Sequence, residues 1–518
     1  MDSAIFIGVD CSTTSTKTIA FNSRGGIVTK AAISHATYSK APGLVEQDAE
    51  DWWSALCSSC RRIMGSGLLD RRKIKGISIT HQRFSFVPVD SEMHPIRMAI
   101  LWNDLRCAEE AQKARTEIGT GEIFKATGYP PGQWTLYKIM WLKKHEPRTY
   151  ERAYKILLVP DFLVFRLTGR LVTSESSAAM TGALDIENKA RWASSVVERL
   201  GIRPGLWAEP ILPGAGYAGA VSRSAALLTG LPERLPVFVS AGDQPCGSLG
   251  AGVRNAGQLG INGGTSCSNE FFVNSLPDRR EPTYFVEISP TGHYIIENDI
   301  PSGGSAVMSW YRGQFGAPDE ALATKNREDI WDRIYGKMAE TPVGNRGFMI
   351  VPYLQGAYGP YWDQDARAAC LGLGTDMGSA NLVRGLLEGV AYESRREVEL
   401  MSEASGTQVD EILMYGGSAR SDLWNQMFAD VYNRPLSVPK STETTALGAA
   451  LCAAVGSGVF DSFDAAISTM VSIEKRYSPD EKSAYRYDQY YRRAYCRLYD
   501  SIRRLNGEIA QINRELEA

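Results

Sequence analysis

Asp10 closes the apolar run Ile5 to Val9 and is followed by Cys-Ser-Thr-Thr-Ser-Thr and then Lys17. A carboxylate at that point suits a hard cation, and the lysine suits a phosphate charge. Between them Ser12, Thr13 and Thr14 offer hydroxyls and, having small side chains, leave backbone N–H groups open to phosphate oxygens. The same residues also describe an ordinary Ser/Thr-rich hairpin turn. A second carboxylate, Asp243, follows a buried-looking strand and precedes a Gly- and Ala-rich stretch. It is either the N-cap of a helix or a general base with room beside it for a substrate. A third group comprises Arg83 and the run Trp102-Asn103-Asp104-Leu105-Arg106. An indole face covers the C–H edges of a sugar or polyol while carboxylate, amide and guanidinium bind its hydroxyls. The competing readings are a surface-loop arginine at position 83, and a helix start capped by Asn103 or Asp104 with Trp102 in the core.

These groups need strands and turns to hold them. Ile5–Val9 and Thr18–Phe21 have the composition of a strand pair around a turn over Asp10–Lys17, with a further strand near 27–32. Asp48 is a candidate N-cap, with Asp51 in the first turn of a helix. Gly76–Thr80 reads as a strand that stops at His81-Gln82-Arg83 and resumes at Phe84–Val89, and polar residues at such strand ends tend to line a ligand crevice. Val237–Ser240 delivers Asp243 in the same manner. From Gly257 the opening theme returns, a strand running into Gly-Gly-Thr-Ser, with Gly264 and Thr265 in its turn. The repetition suggests a duplicated architecture in two domains, 1–255 and 256–518, with the boundary near 254–257. A third glycine turn, Gly416-Gly417-Ser418, follows the strand 411–415; a flat base could rest on it with Asn425 at its edge. The stretch 480–518 reads as a capping helix.

With 518 residues the chain exceeds what one core usually serves. A net charge of −3 gives no electrostatic case for nucleic acid or anionic membrane. No segment reaches the ~20 apolar residues of a membrane span and no signal peptide is visible, so a cytoplasmic protein is expected. Nine cysteines, an odd number, argue for reduced thiols. Cys57 and Cys60 have CxxC spacing but lie in an amphipathic helical pattern with no second pair to complete a metal site, so a redox or zinc role is the weaker reading. There is no GxxxxGK[ST] loop, no HRD or DFG set and no HExxH; the segment Gly247-Ser-Leu-Gly-Ala-Gly is not GxGxxG, and nothing else points to a dinucleotide fold.

Taken together the motifs resemble those of the FGGY carbohydrate kinases over nearly the whole chain. Gly8-Val-Asp-Cys-Ser-Thr-Thr-Ser-Thr-Lys17 is similar to the family's first phosphate motif, Gly263-Gly264-Thr265-Ser266 to the second, and Gly416-Gly417-Ser418-Ala419 to the adenosine motif. Thr135–His145 and Gly372–Glu388 resemble its two signatures, with departures at Gln133 and Gly385. The resemblance implies an α/β, two-domain, actin-like (ribonuclease-H-like) ATPase fold with ATP and Mg²⁺ in the cleft between the domains. It implies Asp243 as catalytic base and a metal-associated group, Asp10 as magnesium-associated aspartate, and Ser12, Thr13, Thr14, Lys17, Gly264, Thr265, Gly304, Gly416, Gly417, Ser418 and Asn425 as the ATP site. Arg83, Trp102, Asp104, Arg106 and Asp243 would bind a small sugar or polyol; family members are often homodimers or homotetramers. The Trp102 segment and the run Glu46-Gln47-Asp48 look most like the xylulose kinase branch. Gln82-Arg83 resembles glycerol kinases, which follow it with a glycerol-binding glutamate where this chain has Phe84. A ketopentose is the favoured substrate, a polyol the alternative, and a regulatory ATP-binding protein of the same superfold the reading from another class.

Overall fold

The computed structural model describes residues 4–517. In chain order, the elements that bear on the site begin with β1 (Ile5–Cys11), β2 (Ser15–Asn22), β3 (Ile27–Ser34), α1 (Ala49–Met64) and β4 (Ile74–His81). They continue with α2 (Thr135–His145), β5 (Tyr217–Ala220), β6 (Pro236–Phe238) and α3 (Asp243–Ala251). After them come β7 (Gln258–Gly263), β8 (Cys267–Val273), β9 (Phe285–Ile288), α4 (Ser305–Phe315) and α5 (Ser379–Ser405). The last are β10 (Glu411–Tyr415), α6 (Asp422–Tyr432), β11 (Leu436–Pro439), α7 (Thr444–Gly456), β12 (Ile473–Tyr477), α8 (Glu481–Tyr490) and α9 (Cys496–Glu517).

The chain forms two compact units. One comprises 1–254, 273–295 and 443–472; the other comprises 255–272, 296–442 and 473–518. The sequence expects two unbroken halves, whereas in the structure two later segments complete the first unit. β9 is one of them, its Val286 N–H bonded to the Gly128 carbonyl at 2.8 Å. α7 is the other, a helix apolar on all sides and therefore suited only to an interior.

In the first unit a sheet runs in the order β5-β6-β4-β1-β2-β3. β1 and β2 are antiparallel, β1 pairs parallel with β4, and β4 parallel with β6. The second unit repeats this wiring: β7 and β8 form the antiparallel pair, β7 runs parallel to β10, and β10 parallel to β11. In both cases the turn of the opening hairpin carries the hydroxyl-rich stretch. The turn of the first is tighter than the sequence suggests. Asp10 and Lys17 face each other across the ladder and only Ser12–Thr14 leave it, because strand pairing satisfies backbone groups that a longer turn would leave open.

Glycine sets how closely α7 packs in the first unit. A Cβ at Gly8 would fall 1.9 Å from the Ala446 carbonyl oxygen, one at Gly250 1.9 Å from that of Thr444, and one at Gly448 1.9 Å from that of Cys246. In the second unit the C-terminal stretch is helical as expected, with a π-helical turn at Tyr491–Tyr495 between α8 and α9. Its four-residue spacing puts Tyr487, Tyr491 and Tyr495 on one face, each ring within 6.0 Å of Tyr392 on α5. No helix among the described residues is long and apolar enough to cross a membrane.

Candidate active site

The first turn is held from behind. Gln47, fully buried, donates to the Thr13 carbonyl at 2.6 Å and accepts from the Trp52 indole and the Gln82 amide at 2.8 and 3.0 Å. Asp48 caps α1 as the sequence predicts. Above the turn, the indole N–H of Trp102 donates to Thr13 Oγ1 at 2.9 Å, and Trp102 stays 39% exposed. That exposure, and a following helix that begins only at Ala108, rule out the core and helix-cap readings of the Trp102 segment.

Asp104 and Arg106 are spent on framework. Both oxygens of Asp104 accept from Arg106, one also from the Val45 N–H at 2.6 Å, and Arg106 reaches Glu46 at 2.9 Å. The guanidinium also lies 4.7 Å from the Trp141 ring. Lys138, in the expected signature on α2, is buried and donates to the carbonyls of Leu101 and Trp102 at 2.6 and 2.8 Å. Burial lowers its ammonium to about 8. The group of substrate contacts expected at 102–106 thus resolves into one exposed indole and the buried charges that fix its loop.

Asp243 sits at the first position of α3, with Gly242 as the N-cap, so the capping reading passes to the glycine. A Cβ at Gly242 would fall 2.7 Å from Arg83 Cγ, so the chain comes close there. The carboxylate of Asp243 accepts from the Gln244 N–H at 3.0 Å, lies 3.5 Å from Arg83 Nε, and leaves 35% of its side chain open. The protein packed around it raises its affinity for a proton, and Arg83 opposes the shift. Arg83 in turn bonds Glu287 of β9 at 2.7 Å. Phe84 is held at φ 60°, an unusual conformation for an aromatic residue, and its ring packs on Trp134 with centroids 4.8 Å apart.

Asp10 is pushed up to about 7, first by burial and then by the charge of Asp243, with Lys17 pulling it back. Its Oδ1 is buried with no hydrogen-bond partner. An orphaned carboxylate oxygen near a second carboxylate fits a hard cation. Among the described residues no group of three or more His, Cys, Asp or Glu could hold a metal, so the fit is to an ion that keeps water and phosphate oxygens as ligands. Lys17 is ion-paired with Glu443 at 2.6 Å.

In the second unit the turn at Gly264–Ser266 is clasped by the start of α4. The Gly304 and Ser305 N–H groups donate to the carbonyls of Thr265 and Gly264 at 3.2 and 2.6 Å, and a Cβ at Gly304 would fall 2.2 Å from two of the turn's carbonyl oxygens. Thr265 is exposed. The third turn abuts this one: a Cβ on Gly263 would meet Ser418 Cβ at 2.6 Å, and Gly416, at φ 88°, approaches Gly263. Asn425 is fully buried; its amide donates to the Ala419 carbonyl at 2.8 Å and so holds the turn from beneath.

Cys57 and Cys60 lie buried on α1, and burial pushes their thiols up to about 11 and 12. That is opposite to what a reactive or metal-binding thiolate needs. Sequence reasoning missed Glu287, Glu443 and the anchoring role of Gln47. Glu287 had a signal, a lone carboxylate inside the apolar strand Phe-Val-Glu-Ile.

A mixed sheet built twice from the same wiring, with a hydroxyl- or glycine-rich turn at each opening hairpin, is the two-domain fold of the actin-like class. Residues 5–250 match the N-terminal domain and 259–457 the C-terminal domain described as the FGGY family of carbohydrate kinases, and the chain belongs to that family. It is a phosphotransferase acting on a carbohydrate. The xylulose kinase of Staphylococcus xylosus is 28% identical over 96% of this chain and 100% of its own. The gluconokinase of Bacillus subtilis (strain 168) is 27% identical over 93% of each. The crystal structure of ligand-bound xylulose kinase from Lactobacillus acidophilus shares the fold with a TM-score of 0.89 at 23% identity, covering 98% of this chain and 100% of that one.

Proposed function

We propose that the protein transfers the terminal phosphoryl group of ATP to a hydroxyl of a small neutral sugar, a ketopentose such as xylulose in first place. The observation that carries this reading is Asp243, a partly open carboxylate with raised proton affinity, 3.5 Å from Arg83 and electrostatically coupled to Asp10. Asp243 takes the proton of the attacking hydroxyl as the new O–P bond forms and the bond to the ADP oxygen breaks. Arg83 orients a hydroxyl, and Trp102 covers the carbon skeleton. Asp104 and Arg106 act by fixing that indole.

Ser12, Thr13, Thr14 and Lys17 bind phosphate oxygens, as do Gly264 and Thr265 of the second turn. Gly416, Gly417 and Ser418 carry the adenosine, with Gly304 and Asn425 shaping those turns. Asp10 and Asp243 would hold Mg²⁺, which supplies charge neutralisation on the phosphates. Xylulose ranks first because it is named in several of the similar kinases and because the 100–106 segment resembles that branch. Glycerol or another polyol is the second reading, favoured by Gln82-Arg83.

The test is ADP release from Mg-ATP against xylulose, ribulose, glycerol, erythritol and gluconate. Turnover of a ketopentose, with a loss of roughly 10²- to 10⁴-fold in Asp243→Asn, is expected. Near wild-type rates in that variant sink the base assignment.

A further inference from the structure

Glu287 is fully buried on β9, between Val286 and Ile288. One oxygen accepts from Arg83 Nη1 at 2.7 Å and from the Tyr129 hydroxyl at 2.6 Å. The other oxygen is buried with no hydrogen-bond partner. A carboxylate buried with half its acceptors unused is costly unless a cation holds it, and the guanidinium against it is that cation. The opposite edge of the same guanidinium faces Asp243, so Arg83 lies between two carboxylates. Aromatic rings wall in the group: the guanidinium is 5.4 Å from the Phe84 ring centroid and 6.0 Å from that of Phe285.

An arginine in a sugar site can serve two substrate classes. With its charge unspent it binds the carboxylate of a sugar acid through a two-pronged ion pair. With its charge cancelled it remains a rigid fork of N–H donors, suited to neutral hydroxyls. Here the cancellation is built in, from a strand that the chain returns to this unit some two hundred residues later.

Resting on the sugar kinase reading above, we propose that Glu287 is a positioning residue that determines specificity through Arg83. It neutralises and fixes the guanidinium, so the site takes neutral ketoses or polyols and rejects aldonates such as gluconate.

The wild-type protein gives the first arm, kcat/KM for a neutral panel of xylulose, ribulose, glycerol and erythritol against gluconate. The neutral substrate is expected to win. Preference for gluconate overturns this inference while leaving the kinase reading intact, and absence of turnover with every compound in a protein that binds ATP overturns both.

Glu287→Gln gives the second arm, since it keeps the acceptor for Arg83 and Tyr129 but removes the charge. Gluconate is expected to gain on the neutral substrate by about tenfold or more in the ratio of kcat/KM, because one unit charge is removed a few ångströms from the arginine. KM for ATP stays unchanged, and Glu287→Asp restores the neutral preference. A ratio unmoved in folded Glu287→Gln overturns the proposal. If that variant does not fold, the wild-type comparison decides.

Discussion

Lys17 Nζ lies 2.6 Å from Oε2 of Glu443, a residue 426 positions further along the chain and immediately ahead of α7. Lys30 takes the other oxygen of Glu443 at 2.9 Å. The lysine of the first turn is therefore positioned by a carboxylate from the far end of the chain.

Replacing Lys17 with Met should raise KM for ATP by roughly tenfold or more, since hydrogen bonds to charged groups are worth about 1.5–3 kcal/mol. KM for the sugar should hold. The melting temperature should fall little, because Lys17 is a third exposed and Glu443 keeps Lys30. Steady-state kinetics in both substrates and a thermal melt check this; an unchanged KM for ATP removes Lys17 from the phosphate site.

Gly8→Ala is expected to be severe. The new methyl group would sit 1.9 Å from a backbone carbonyl oxygen, which no side-chain rotation relieves, and overpacking of this kind costs roughly 3 kcal/mol. Gly121, inside the helix at 120–127, has open space around its Cβ position. Gly121→Ala should gain about 0.5–1 kcal/mol instead. Denaturant melts of the two variants should move in opposite directions.

Asp10 makes stability depend on pH with a definite sign. Its native pKa is raised to about 7 from an ordinary value of 3.8, so between those values the folded protein holds more protons than the unfolded chain. This contribution favours folding below about pH 4 and is lost as pH rises through 7. Asp10→Asn should flatten that loss and be more stable than wild type near pH 8 by about 2 kcal/mol, given 1.36 kcal/mol per pKa unit and partial relaxation. Melting curves from pH 5 to 8 test it. Adding Mg²⁺ and ADP at pH 8 should raise the wild-type melting temperature more than that of the variant.

Arg106→Ala and Trp102→Ala should separate frame from contact. Arg106 is 3% exposed and its loss leaves the buried Asp104 carboxylate with backbone donors alone, while Glu46 keeps Arg97, so the first variant should lose about 3 kcal/mol of stability. Trp102→Ala should melt near wild type but raise KM for the sugar roughly tenfold, since it removes an exposed aromatic face. If Trp102→Ala leaves that KM unmoved, the indole does not touch substrate.

The sequence alone specified the local pieces. Strands ending in Gly-, Ser- and Thr-rich turns, the Asp48 cap and the pattern of α1 are short-range matters of propensity and sterics, and they are legible wherever neighbours in sequence decide them. The repeat of the opening hairpin was legible for the same reason, and the family motifs tied those pieces to phosphoryl transfer.

Only the tertiary structure decided which charges are used up. Asp104 and Arg106 resemble free sugar ligands in the sequence, yet the fold brings Glu46 and Val45 against them and buries the set. Asn425 resembles a base contact and instead bonds the Ala419 carbonyl. Glu287 and Glu443 carry no local pattern that names their partners. Each meets its arginine or lysine because β9 and α7 return to the first unit after a long excursion, and an ion pair across hundreds of residues depends on where the backbone ends up, which no short window of sequence contains.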